Sequence, residues 1–94
     1  MMTPREMSDE RLRLAEEYSK YSGEWAKLVK AQADFFHEQR DTHKSDTSCQ
    51  RAFERTDDGV KMTVVKQKLK SIEKTMSALN TALRLAENES KNLY

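Results

Sequence analysis

The stretch Met62–Leu93, MTVVKQKLKSIEKTMSALNTALRLAENESKNL, decides how this chain folds. Met62, Val65, Leu69, Ile72, Met76, Leu79, Leu83, Ala86, Ser90 and Leu93 follow one another at alternating spacings of three and four, and all but Ser90 are apolar. The residues between them are mostly Lys, Glu, Asn, Ser, Thr and Gln. Such a seam, repeating about every 3.5 residues, marks a helix that packs lengthwise against another helix.

A second seam stands nearer the N-terminus. Met7, Leu14, Tyr21, Leu28 and Phe35 hold one of its positions; Arg11, Tyr18, Trp25, Gln32 and Gln39 hold the other. Ala15, Val29 and Phe36 flank this seam, as Val64, Ala78, Ala82 and Leu85 flank the later one. Faces this wide, with bulky aromatics, suit a bundle better than a slender two-stranded coil. Thr3-Pro4-Arg5-Glu6 reads as the helix start, with Thr3 as cap, Glu6 reaching back and Pro4 at a position that needs no donor. Ser8-Asp9-Glu10 offers an alternative start. The first helix is expected over about 4–42.

Arg40 to Ser48 contains no apolar residue, and its Asp, Ser and Thr side chains compete with the helical ladder, so the chain turns there. Cys49, Ala52 and Phe53 then form an apolar patch on a short helix over about 47–57. Carrying the phase of Phe53 forward reaches Val60, whereas the long seam needs position 58. The helix must break or kink between Asp57 and Val60, with Gly59 the expected place. The last helix should run over about 60–93. The expected fold is all-α and a single domain, a long antiparallel, coiled-coil-like helical hairpin with a tip at about 41–59, dimerising into a helix bundle. Facing residues should have numbers summing to about 100, the register in which neither seam is stranded. Met7 then meets Leu93, Leu14 meets Ala86, Tyr21 meets Leu79, Trp25 meets Met76, Leu28 meets Ile72, Phe35 meets Val65, and Arg11 falls beside Ser90.

Composition agrees. A hydrophobic fraction of 36% against 35% charged, with two Gly and one Pro in 94 residues, fits long helices with little loop and excludes a large globular core. A net charge of +1 nominates neither nucleic acid nor a membrane. No apolar run approaches the roughly 20 residues of a membrane span, and no signal-peptide core is present. The single Cys allows no internal disulfide, which suits a cytoplasmic location.

Candidate chemistry is sparse. Asp34, His37, Glu38 and Asp41 share a helical face, but no second Glu-x-x-His exists, and His43 misses the spacing of a zinc-protease motif. No metal or other cofactor is expected. Arg51 and Arg55 near Cys49 could favour a thiolate, yet no base is placed to use it, so Cys49 reads as a packing residue. Tyr18, Tyr21, Trp25, Phe35 and Phe36 could stack on bases, but their seam positions favour burial. Lys61, Lys66, Lys68, Lys70 and Lys74 form a basic segment, with Lys66, Lys70 and Lys74 on one stripe. It could contact a phosphate backbone or an acidic partner, and reads more simply as a solvated face partly paired with acids on the neighbouring helix. No phosphate loop, nucleophile elbow or catalytic carboxylate pair appears, so no enzyme and no small-molecule substrate are expected.

Lys44-Ser45-Asp46, Arg51-Ala52-Phe53, Thr56, Gly59, Lys70-Ser71-Ile72-Glu73-Lys74, Ser77-Ala78, Leu83-Arg84, Asn88-Glu89 and Asn92-Leu93-Tyr94 together resemble small, largely uncharacterised helical proteins of tailed bacteriophages and prophages. The resemblance covers roughly residues 40–94 and departs from the pattern at Cys49, where Ala is expected. It implies an all-helical fold, an origin and the cytoplasm of a bacterial host, with no activity attached. The functional expectation is a non-enzymatic protein-interaction module, phage-encoded, that binds itself as a homodimer or an unidentified protein through its wide helical face. The alternative is an accessory factor of phage DNA metabolism that uses the lysines. The dimer or partner surface is expected at Ala15, Val29, Phe36, Val64, Ala78, Ala82 and Leu85.

Overall fold

The structure is a computed structural model that describes residues 2–42 and 45–92. It contains three helices, α1 (Pro4–Glu38), α2 (Asp46–Glu54) and α3 (Asp57–Asn92), and no strand among the described residues. The last seam position, Leu93, and with it the expected contact to Met7, lies outside the described residues, as does His43.

The first of the two candidate starts is used. Thr3 caps α1: its hydroxyl accepts from the Glu6 N–H at 3.2 Å and donates to the Glu6 carboxylate at 3.0 Å. The reciprocal contact of a capping box is thus made through the hydroxyl. The helix ends at Glu38, about one turn before the expected 42, because the polar segment after Gln39 folds into a turn closed by Thr42 N–H on the Gln39 carbonyl at 3.0 Å. Ser45 caps α2 by accepting from the Ser48 N–H at 3.1 Å.

The second helix boundary also differs from expectation. The break falls at Arg55 and Thr56, and Gly59 lies inside the first turns of α3. Thr56 makes the corner. Its N–H and hydroxyl both donate to the Phe53 carbonyl, at 2.9 and 2.6 Å, while its hydroxyl accepts from the Gly59 N–H at 3.1 Å. Its own carbonyl accepts from the Val60 N–H at 3.0 Å. Gly59 has no positive φ, so backbone freedom is not what the site requires of it. Space is the requirement: a Cβ there would stand 2.1 Å from the Phe53 carbonyl oxygen and 2.8 Å from the Glu54 Cα.

α1 and α3 lie side by side and run in opposite directions. Arg11 Nη1 donates to Asn80 Oδ1 at 3.0 Å, the Tyr18 hydroxyl to Glu73 at 2.9 Å, and Lys68 Nζ to the Tyr21 hydroxyl at 3.2 Å. The numbers of these pairs sum to 91, 91 and 89, so the expected register near 100 is corrected. Leu14 packs in one cluster with Ile72 and Leu79, supported by Met7, Tyr18, Tyr21 and Met76, where Ala86 was expected opposite Leu14. Arg11 bonds Asn80 rather than a residue near Ser90, a difference of about 15 Å along the helix. Phe35 meets Phe53 edge-to-face at 5.5 Å between ring centres, rather than Val65. α2 therefore lies against the last turns of α1, also through Gln32 Nε2 on Gln50 Oε1 at 2.8 Å, and not merely over the end of the pair.

The seam residues do face inward. Leu14, Leu28, Val65, Ile72 and Leu79 are buried, and Met62, Leu69, Met76, Leu83 and Ala86 are half-buried. Cys49, Phe53 and Gly59 are buried as well, Phe53 at 2% exposure. The rod remains thin: its radius of gyration is 19.9 Å, against about 12 Å for a compact domain of this length.

The two glycines yield opposite expectations. Gly59→Ala should destabilise by about 1–3 kcal/mol, because Cβ would collide with backbone that cannot move aside cheaply. Gly23→Ala, with nothing within 4 Å of its Cβ, should stabilise by up to about 1 kcal/mol through helix propensity. Urea denaturation of both variants checks the corner, and an unaffected Gly59→Ala would contradict it.

Candidate interaction surface

α3 carries a second apolar stripe beside its seam. Val60, Val64, Ser71, Thr75, Ala78, Ala82 and Leu85 project at about 100° per residue onto one side of the helix, flanking the seam that packs on α1. Val60, Val64 and Leu85 are 56%, 45% and 57% exposed, which is high for aliphatic side chains beside a core. Thr75 belongs to the stripe because its hydroxyl donates to the Ser71 carbonyl at 3.0 Å within its own helix. That bond satisfies the polar atom locally.

Two grooves run along this side where α1 and α3 meet. Towards the α2 end, Val60, Val64 and Val65 with Tyr21 and Leu28 line a space of about 480 Å³, rimmed by Glu24, Lys27, Lys61 and Lys68. Towards the chain termini, Met2, Pro4 and Met7 face Ala78, Leu79, Ala82, Leu85 and Ala86 across about 800 Å³, with Glu89 as its charged residue. This second groove follows from the register. Sliding α3 by a heptad carries Leu85 and Ala86 towards the start of α1, where, among the described residues, Met2, Pro4 and Met7 line the groove beside them.

The residues expected to form one surface are divided between two. Val64, Ala78, Ala82 and Leu85 open on the groove side, with Val64, Ala78 and Leu85 exposed and Ala82 half-buried. Ala15, Val29 and Phe36 open on the opposite side. Ala15 is one turn beyond Arg11, and Val29 and Phe36 are three and five turns beyond Tyr18, so they follow the edge along which Arg11 and Tyr18 reach α3. Val29, 41% exposed, and half-buried Phe36 line a shallow depression with Gln32, His37, Arg40 and Gln50, to which α3 contributes nothing.

The five lysines are divided too. Lys66, Lys70 and Lys74 lie on the outer face of α3, while Lys61 and Lys68 rim the groove. The expected pairing with acids of the neighbouring helix is absent for all five among the described residues. Lys68 turns instead to Tyr21, bonding its hydroxyl and standing 4.9 Å from its ring centre, a cation–π contact.

Electrostatic effects are local. The Tyr18 phenol is held above its ordinary range by its hydrogen bond to Glu73, helped by that carboxylate's charge and by slight desolvation. Arg13 bridges Glu10 and Glu17 on the groove side of α1, and its hydrogen bond holds the Glu10 carboxyl below the usual carboxylate range. Exposed pairs of this kind add little stability. No group of three His, Cys, Asp or Glu side chains suited to a metal occurs among the described residues. Asp34, His37, Glu38 and Asp41 are all exposed. Cys49 is buried at 5% exposure, as a packing residue would be. Tyr18, Tyr21, Trp25, Phe35 and Phe36 are half-buried, leaving no open aromatic platform. No described helix is long and apolar enough to cross a membrane.

Compared with protein-family models, curated proteins and solved structures, the chain matches none. The surface is therefore read from its own residues. Val60, Met2 and Met7 belong to it and were not expected there. The signal for Val60 was available, since it stands four residues before Val64 in the second stripe.

Changing Lys66, Lys70 and Lys74 together to Gln should leave the fold intact, because exposed, unpaired side chains cost under about 0.5 kcal/mol each. An unchanged circular dichroism spectrum and urea midpoint are expected. A large loss of helicity would place these lysines in packing.

Proposed function

We propose that this chain is a non-enzymatic protein-interaction module whose working surface is the exposed stripe of α3, and that it acts by self-association as a helical hairpin. The observation that carries this reading is the exposure of Val60, Val64 and Leu85 on one continuous side of α3. Burying one such side chain fully is worth roughly 1.5–3 kcal/mol, and among the described residues no element beyond α1, α2 and α3 supplies the cover. Two-fold pairing is the commonest way for identical chains to bury such a face. The phage origin that the C-terminal half suggests adds a setting, the cytoplasm of a bacterial host.

A second reading draws on the unpaired Lys66, Lys70 and Lys74. As an accessory factor of phage DNA metabolism, the chain would lay this row along a phosphate backbone. Three contacts would make affinity fall with a logarithmic salt slope of about 3. A mobility titration against single- and double-stranded DNA at about 100 mM salt tests it. The leading reading expects no retardation.

Sedimentation equilibrium across a micromolar range tests the leading reading. A mass above 11.0 kDa that rises with concentration is expected, together with reversion to 11.0 kDa when Val64→Glu and Leu85→Glu are combined. Both positions are exposed, so the variant should keep its helicity. A mass of 11.0 kDa at every concentration would contradict self-association.

A further inference from the structure

We infer that the occupant of the α3 stripe is the α3 of a second copy, lying antiparallel about a two-fold axis at Thr75. The inference rests on the self-association proposed above and adds its face, direction and register. From Val64 to Leu85 the stripe is nearly palindromic in chemistry about Thr75. Ser71 and Ala78 stand four residues before and three after it, small on both sides. Val64 and Leu85 stand eleven before and ten after, large and exposed on both sides. Lys61 and Glu89 stand fourteen away in each direction, opposite in charge.

Antiparallel pairing about Thr75 brings Val64 to the partner's Leu85 and Ser71 to the partner's Ala78. It also brings Lys61 to the partner's Glu89 at both ends. The lysine-rimmed groove of one copy then covers the groove of the other, whose charged residue is Glu89. Parallel pairing would set Lys61 on Lys61 and Glu89 on Glu89, which is repulsive at both. Lys68 would be the obstacle in the antiparallel arrangement, opposite the partner's Ala82. It is already drawn off the stripe, its ammonium bonded to the Tyr21 hydroxyl and lying over that ring. The small residues in the middle allow the two helices to approach closely.

Cysteine cross-linking in the full chain, with buried Cys49 changed to Ala, tests the direction and register. Under a glutathione redox buffer, Thr75→Cys should cross-link to itself. Val64→Cys alone should not, and a mixture of Val64→Cys and Leu85→Cys chains should. Charge reversal supplies an independent readout: Lys61→Glu should weaken association about tenfold, and adding Glu89→Lys should restore it. Self-linking of Val64→Cys would mean parallel pairing and would overturn the inference. Association in sedimentation with cross-linking only through Val29→Cys, on the opposite side, would overturn it while leaving self-association standing. A chain that sediments as a monomer would remove both.

Discussion

The fold depends on the close approach between Gly59 and the Phe53 carbonyl. With no Cβ at position 59, α3 can start directly against the end of α2, and the Thr56 hydroxyl ties both sides of the corner. That corner aims the Phe53 ring, 2% exposed, into the edge of Phe35. Once Phe53 is seated against α1, the start of α3 is set relative to α1, and every contact further along the rod follows. A bulkier residue at 59 would widen the corner, and the seams would lose their common reference.

This constraint explains why the helices were legible in the sequence and their register was not. The alternation of three and four in Met62–Leu93 states that the helix has a seam, and the buried Val65, Ile72 and Leu79 are three consecutive members of one of its positions. A heptad seam, however, repeats when slid by seven residues, so Leu14 opposite Leu79 and Leu14 opposite Ala86 satisfy the same pattern. The choice between them comes from Phe53, which lies outside both seams. The mismatch of seam phases calls for a break near Gly59, but it cannot show that the break falls at Arg55 and Thr56, nor that the missing Cβ of Gly59 makes room for the Phe53 carbonyl beside it. The end of α1 was misplaced by about one turn because nothing in the pattern of Gln39 to Thr42 separates a last helical turn from a closing one.

The surface was legible to a similar degree. Val64, Ala78, Ala82 and Leu85 stand out in the sequence as apolar residues beside a seam, and they share one side of α3. Ala15, Val29 and Phe36 stand out equally, but whether two flanks on antiparallel helices open on the same side depends on their handedness relative to the interface. Arg11 on Asn80 and Tyr18 on Glu73 identify the side that the α1 flank follows, and Glu24 and Lys27 beside Val64 mark the other. One isologous interface cannot cover both sides of the pair. The stripe on α3 is the longer of the two and the one with large exposed aliphatics at both ends, which is why self-association is assigned to it.

The register set by the Phe53–Gly59 corner is the claim on which the grooves, the split of the lysines and the α3 stripe all rest. Nuclear Overhauser contacts across the helix pair test it most directly. The account predicts contacts from the Leu14 methyls to Ile72 and Leu79 and from the Phe35 ring to the Phe53 ring. Contacts from Leu14 to Ala86, with Phe35 against Val65, would contradict it.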